Sequence, residues 1–241
     1  MTRETKILLI WVFIFSLSMA FFESSIVVYL REIYYPEGFT FPLAEMSEHL
    51  VVTEFFREFA SLVMIISVSG ISFKSFYRRF AGFLFVFAIW DIFYYVFLKV
   101  LLDWPESLME WDILFLIPVT WTGPVITPVF ISILMLILAS VILIFYDKLS
   151  GRFAMNAREW ITLIIGAFVV FISFIWDYSR FLINKIHWDD LGHLTQDLEV
   201  LTLQYEPQSF NWPLFIMGSL IILLAIFIIY RRNLKFLHEH A

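Results

Sequence analysis

Five carboxylates, Glu23, Glu54, Glu58, Asp91 and Asp177, and two guanidinium groups, Arg57 and Arg180, fall inside long apolar stretches of this 241-residue chain. An ionised group near the centre of a bilayer costs about 2.5–3.5 kcal/mol on insertion scales, so such residues mark ion pathways, proton relays or ligand sites unless they neutralise one another. Glu54 and Arg57 stand at i,i+3, as do Asp177 and Arg180. Either pair could close a local ion bridge on one helix, which would be structural. Glu23, Glu58 and Asp91 have no cation so near. Lys99 lies two helical turns beyond Asp91 and can instead extend to the interface. Three carboxylates on three apolar stretches must be protonated, paired across helices or bound to a cation. The segment EFFRE places Glu54, Arg57 and Glu58 on one helical face. Grouped carboxylates suit a hard divalent cation or a shared proton, so Glu23, Glu58 and Asp91 are candidate metal ligands. Tyr94, Tyr95 and Tyr178 would add hydroxyls beside them.

Other chemistries are excluded by what is missing. There is no cysteine, hence no disulfide, thiolate metal site or thiol nucleophile. The histidines, at 49, 187, 193, 238 and 240, lie at or beyond the ends of the apolar runs. That argues against haem on buried histidine, a buried Ser–His nucleophile and a di-iron carboxylate bundle. In HWDDLGH, His187, Asp190 and His193 have a spacing that could take a metal, but a solvated acidic loop accounts for them better. No glycine-rich phosphate cradle occurs, and the net charge of −6 gives no reason to expect a nucleic-acid partner.

The elements that must position these groups are membrane helices. The chain is 61% hydrophobic and 16% charged, against about 45–50% and 25% in soluble domains. Apolar runs predict spans near 7–30, 49–72, 80–102, 125–146, 159–184 and 212–230, each long enough to cross a bilayer. Arg3, Lys6, Lys74, Arg78, Arg79, Lys148, Arg152, Arg158, Arg231, Arg232 and Lys235 all fall on one side of this topology. The opposite loops are acidic. The positive-inside rule then places both termini in the cytoplasm. The N-terminal run followed by SMA, ending at Ala20, has a signal-peptide look, but it continues apolar to Leu30 and is read as an uncleaved span. The expected fold is all-α: one membrane domain, 1–241, a bundle of six transmembrane helices. Counted from the helix ends at about 1.5 Å per residue, all five buried acids occupy its outer half.

One stretch breaks the pattern. From Ile113 to Phe145 no charge occurs, yet Pro118, Gly123, Pro124 and Pro128 interrupt the first half. Residues 111–124 are too few for a crossing and read as a re-entrant or interfacial helix ahead of the fourth span. Irregular backbone at membrane depth survives only where protein buries it or a wet cavity adjoins it. Asp112 would then face the mouth of the acidic layer. Four tryptophans precede aspartate, at 90, 111, 176 and 188, and 81–99 aligns without gaps to 167–185, as a degenerate parallel repeat would.

Three segments, FFESSIVVYLREIYYPEGFTFPL, VVTEFFREFASLVMI and WDIFYYVFLKVLLDWPESLMEWDILFLIPVTWTGPV, together resemble a family of small bacterial polytopic membrane proteins over roughly residues 20–130. The resemblance implies a bacterial cytoplasmic membrane and assigns no catalytic role. These segments hold Glu23, Glu54, Glu58, Asp91, Asp112 and the Pro/Gly break. Three functions stay open from the residues. The first is an outward-facing acidic, aromatic site within the membrane for a cation, proton or small solute. The second is a metal-dependent enzyme acting on a lipid or quinone at the outer leaflet. The third is a scaffold or assembly subunit whose acids tie helices together. The partners expected are the bilayer and a small solute, lipid or cation; the sole cofactor suggested is a divalent cation.

Overall fold

The computed structural model describes residues 1–186 and 200–239. In chain order the elements are α1 (Arg3–Tyr34), α2 (Glu48–Ser72), α3 (Phe76–Leu102), β1 (Trp111–Phe115), β2 (Trp121–Pro124), α4 (Ile126–Lys148), α5 (Ala157–Lys185) and α6 (Trp212–Glu239). The chain is mostly helical. Among the described residues, α1, α3, α4, α5 and α6 are long and apolar enough to span a membrane. The expected sixth span, α2, is 25 residues long but is not among these five, and its first half carries Glu48, Glu54, Arg57 and Glu58.

The helix starts follow local capping chemistry. Thr2 accepts a hydrogen bond from the Thr5 N–H, and Ser75 accepts one from Arg78. Asn156 and Glu159 form a reciprocal capping box that satisfies two orphan N–H groups of α5. Glu159 is fully buried and pairs with Arg232 of α6 at 3.0 Å. At the same end the Thr2 N–H and the Thr5 hydroxyl donate to Asp147, and Arg78 donates to Thr5. The N-terminus, the α2–α3 and α4–α5 joints and the last turns of α6 therefore meet at one end of the bundle.

The segment expected to be a re-entrant or interfacial helix is instead a β-hairpin. β1 and β2 run antiparallel, with Trp111 opposite Pro124, Asp112 opposite Gly123, Ile113 opposite Thr122 and Phe115 opposite Trp121. The reason lies in residue type. Pro118 and Pro124 lack the N–H that a helix interior requires, and they fall at the turn and at the strand end. Isoleucine and the aromatic residues suit a pleated, half-buried strand. The hairpin leads directly into α4, with the Val125 N–H bonded to the Glu110 carbonyl and Ile126 N–H to Leu108.

Packing divides the helices into two groups. α3 packs on α1 and α4, and α2 lies on α3 and α1. α5 packs along α6 and against β2, while α6 also meets α4. The α5–α6 contact is a backbone approach. A Cβ built on Gly166 would stand 2.9 Å from the Ile222 nitrogen, and one on Gly218 would stand 2.8 Å from the Val170 nitrogen. Small residues at such crossings let membrane helices gain close van der Waals contact where no hydrophobic drive exists. Gly70, by contrast, has open space around it. Gly218→Val should therefore lower the thermal midpoint in detergent, by an overpacking cost of about 1–3 kcal/mol. Gly70→Ala should leave it unchanged or raise it. Tryptophan-fluorescence melts of both variants check this.

Candidate ligand cavity

A cavity of about 890 Å³ lies between the two helix groups. It falls within the size range of ligand pockets, about 300–1,000 Å³. α3 supplies one wall as a single helical stripe that includes Phe80, Phe83, Phe87, Asp91 and Tyr94. α5 supplies the facing wall as a second stripe that includes Trp160, Leu163, Ala167, Val170 and Phe174. α4 contributes Ile131, Ser132 and Met135 between them. The hairpin, through Ile113 to Leu116 and Trp121, covers one end, together with Tyr35, Phe39 and Ala44 from the α1–α2 loop. At the other end Phe80 of α3 and Trp160 of α5 bring their rings to 5.2 Å.

The charges cluster under the hairpin. Glu23, Glu54, Arg57, Glu58, Asp91, Tyr94, Tyr95 and Asp112 all line the cavity. Arg57 joins two helices: it donates to Glu54 on its own helix at 2.8 Å and to Glu23 on α1. Ser61 also donates to Glu23. The local Glu54–Arg57 pair therefore forms, and the same guanidinium serves the acid that had no cation nearby in sequence. Glu58 accepts from the Leu116 N–H at 2.9 Å, a backbone donor at the turn of the hairpin. Asp91 accepts from the Ser132 hydroxyl at 2.8 Å. Among the described residues neither Glu58 nor Asp91 takes part in an ion pair. Lys99 turns to Asp103 at 2.7 Å and does not reach Asp91.

Asp112 sits on the buried side of β1 and bonds Arg31, from the last turn of α1, at 3.0 Å. The Arg31 guanidinium lies 3.7 Å over the Trp104 ring and 4.4 Å over Phe39. Burial pushes the Asp112 carboxyl above its usual range even with this cation beside it. Arg31 was not singled out from the sequence. Its signal was spacing, since it follows Glu23 by eight residues and shares its helical face.

Asp177, Arg180 and Tyr178 do not line the cavity. The expected Asp177–Arg180 pair is also absent, because Asp177 is taken by the chain that returns toward α6. It accepts from the Tyr205 hydroxyl at 2.9 Å, the Gln208 N–H at 3.0 Å and the Ser209 N–H at 3.2 Å. Three donors from one loop compete better for a carboxylate than one exposed, flexible guanidinium. Tyr178 bonds Thr202, and Arg180 is exposed. Tyr205 continues to Thr122 of β2, so this network props the hairpin from the α5 side.

Among the described residues no group of three histidine, aspartate or glutamate side chains is placed to hold a metal ion. Glu23, Glu58 and Asp91 share a cavity but not a coordination sphere. His187, Asp190 and His193 lie outside the described residues. The five apolar helices mark a membrane protein, and its cavity is charged at one end and apolar along its length. Comparison with family models, with curated proteins and with solved structures found no match.

The Arg31–Asp112 pair gives a direct test. Arg31→Gln strands a buried carboxylate and should destabilise the protein by about 3–5 kcal/mol. Adding Asp112→Asn should recover part of that loss. A carboxyl raised by folding favours its protonated form, so the Arg31→Gln penalty should be full at neutral pH and shrink as the pH falls toward the ordinary aspartate range. Melts of the single and double variants at neutral and acidic pH measure both effects.

Proposed function

We propose that this is a six-span protein of a bacterial cytoplasmic membrane, with α2 as the sixth crossing and both termini in the cytoplasm. Its acidic, aromatic cavity end faces the outer side and binds a small cationic solute. For α2, the support is length and the direction of its charges. Twenty-five residues rise about 37 Å, more than the roughly 30 Å hydrocarbon core. Arg57 and Glu58 are engaged by protein groups, and Ser61, Ile65 and Ser69 form a buried stripe against the bundle. For orientation, the support is the sorting of lysine and arginine to one end.

The observation that carries the binding role is the shared lining. Carboxylates from α1, α2, α3 and the hairpin open onto one cavity, and among the described residues two of them, Glu58 and Asp91, form no ion pair. Two unpaired acids beside Tyr94, Tyr95 and Trp90 favour a ligand that brings positive charge and N–H donors. The ring contact of Phe80 with Trp160 at the far end favours binding over passage through the membrane. The metal-enzyme reading draws less support, for want of a three-ligand group among the described residues. A scaffold role would leave the cavity without a purpose.

Two experiments test this. The chain has no cysteine, so single cysteines report topology directly. Glu45→Cys should react with a membrane-impermeant maleimide in intact cells, and Arg152→Cys should react only after lysis; the reverse pattern sinks the orientation. Separately, octylammonium should raise the thermal midpoint of purified protein. Glu58→Gln and Asp91→Asn should each weaken its binding about tenfold or more, the scale of one charged contact. Variants that bind as tightly as the unmodified protein would rule the site out.

A further inference from the structure

We infer that the occupant is an amphiphile, with an amine head at the acidic end, where Glu58 and Asp91 open onto the cavity, and one long hydrocarbon chain lying between α3 and α5 as far as Trp160. This rests on the reading of the cavity as a ligand site and names what fills it.

The cavity is much longer than a small ion needs. From Tyr94 to Phe80 the α3 wall descends about 21 Å, and from Phe174 to Trp160 the α5 wall descends about the same. Below the charged end these walls are phenylalanine, tryptophan, leucine, isoleucine, methionine, valine and alanine, with Ser132 on α4 near the upper limit. Protein interiors pack nearly as densely as organic crystals, and an empty apolar space forfeits the dispersion contacts of every atom that lines it. A solute confined to the acidic end would leave most of 890 Å³ unfilled. A long alkyl chain matches the length of these walls and restores contacts along them.

The slot also opens toward the surrounding hydrocarbon. Val51 and Val52 of α2 and Ile164 of α5 line the cavity and are at the same time largely exposed. Val51 and Val52 stand at the charged end and Ile164 one turn from Trp160, so the cavity reaches the outer surface of the bundle at both levels, where a chain could enter sideways from lipid. Phe80 and Trp160 stop it at the far end.

The head group follows from charge. Glu23 and Glu54 share Arg57, and Asp112 has Arg31. Among the described residues Glu58 accepts a hydrogen bond from the Leu116 N–H and Asp91 one from the Ser132 hydroxyl, and neither is in an ion pair. Each carboxylate keeps acceptor capacity for a further donor. A primary ammonium offers three donors and a positive charge, and the tyrosine and tryptophan rings nearby add cation–π attraction. A fatty acid or phosphate head would confront the same carboxylates with like charge.

The test uses the full-length protein in a non-ionic detergent and follows tryptophan fluorescence. Hexadecylammonium should bind about tenfold or more tightly than methylammonium, since burial of each methylene adds affinity. Hexadecanoate should not compete with it. Ala167→Phe, which adds a ring to the α5 wall of the slot, should remove the advantage of the long chain. Asp91→Asn should weaken both amines. A cooperative melt for each variant shows that it is folded. Affinity independent of chain length overturns the amphiphile and spares the ligand site. Tighter binding of hexadecanoate than of the amine overturns the head-group assignment. If the folded protein binds no amine of any length, the inference and the binding role both fall.

Discussion

Asp112 is carried on a short strand whose other residues are apolar, and the cation that meets it comes from 81 residues earlier in the chain. Neither partner is tolerable alone. A buried carboxylate without a counter-charge, or a buried guanidinium without an anion, costs several kcal/mol. The pair therefore fixes where the hairpin lies relative to α1. Once the hairpin is fixed, the rest of the charged end follows. Its turn presents the Leu116 N–H to Glu58, its second strand meets Tyr205, and Trp121 stacks at 5.8 Å on Phe174 of α5. The roof of the cavity is thus joined to α1, α2 and α5 by one buried ion pair and the bonds it brings into register.

The cavity itself results from an imbalance in packing. α5 finds its closest partner in α6, where Gly166 and Gly218 permit backbone approach, and α3 finds its partners in α1 and α4. Large aromatic side chains on α3 and α5 then face each other across the remaining gap. They meet at Phe80 and Trp160 at one end, and the hairpin covers the other. Shape and charge are thereby sorted along one axis, with apolar walls below and carboxylates above.

Much of this was legible in the sequence. Five of the six apolar runs expected to span appear as long apolar helices, because hydrophobic length is a local property. Glu54 and Arg57 were legible for the same reason, being one turn apart. Glu23, Glu58, Asp91, Tyr94, Tyr95 and Asp112 were singled out as unusual for their surroundings, and the structure gathers them on one cavity. What the sequence hid was long-range. Nothing local told that Arg57 would serve Glu23, that Arg31 would serve Asp112, or that Asp177 would turn to the chain beyond α5 and not to Arg180. The break at 111–124 was visible from its prolines, but a helix and a hairpin of that length share the same hydrophobicity. Only the placement of Pro118 at the turn and Pro124 at the strand end decides between them.

The glycine contact between α5 and α6 also has a mechanical side. Two helices locked backbone to backbone cannot slide or tilt apart without losing that contact, so α5 and α6 behave as a single stiff beam. The separation between α3 and α5 then cannot be adjusted by α5 alone. Any widening would carry α6 along with α5, against the packing of α6 on α4, the ring contacts of Trp160 and the Trp121–Phe174 stack. The width of the cavity is thus set from both ends, by the ring contact at the floor and by the hairpin at the roof.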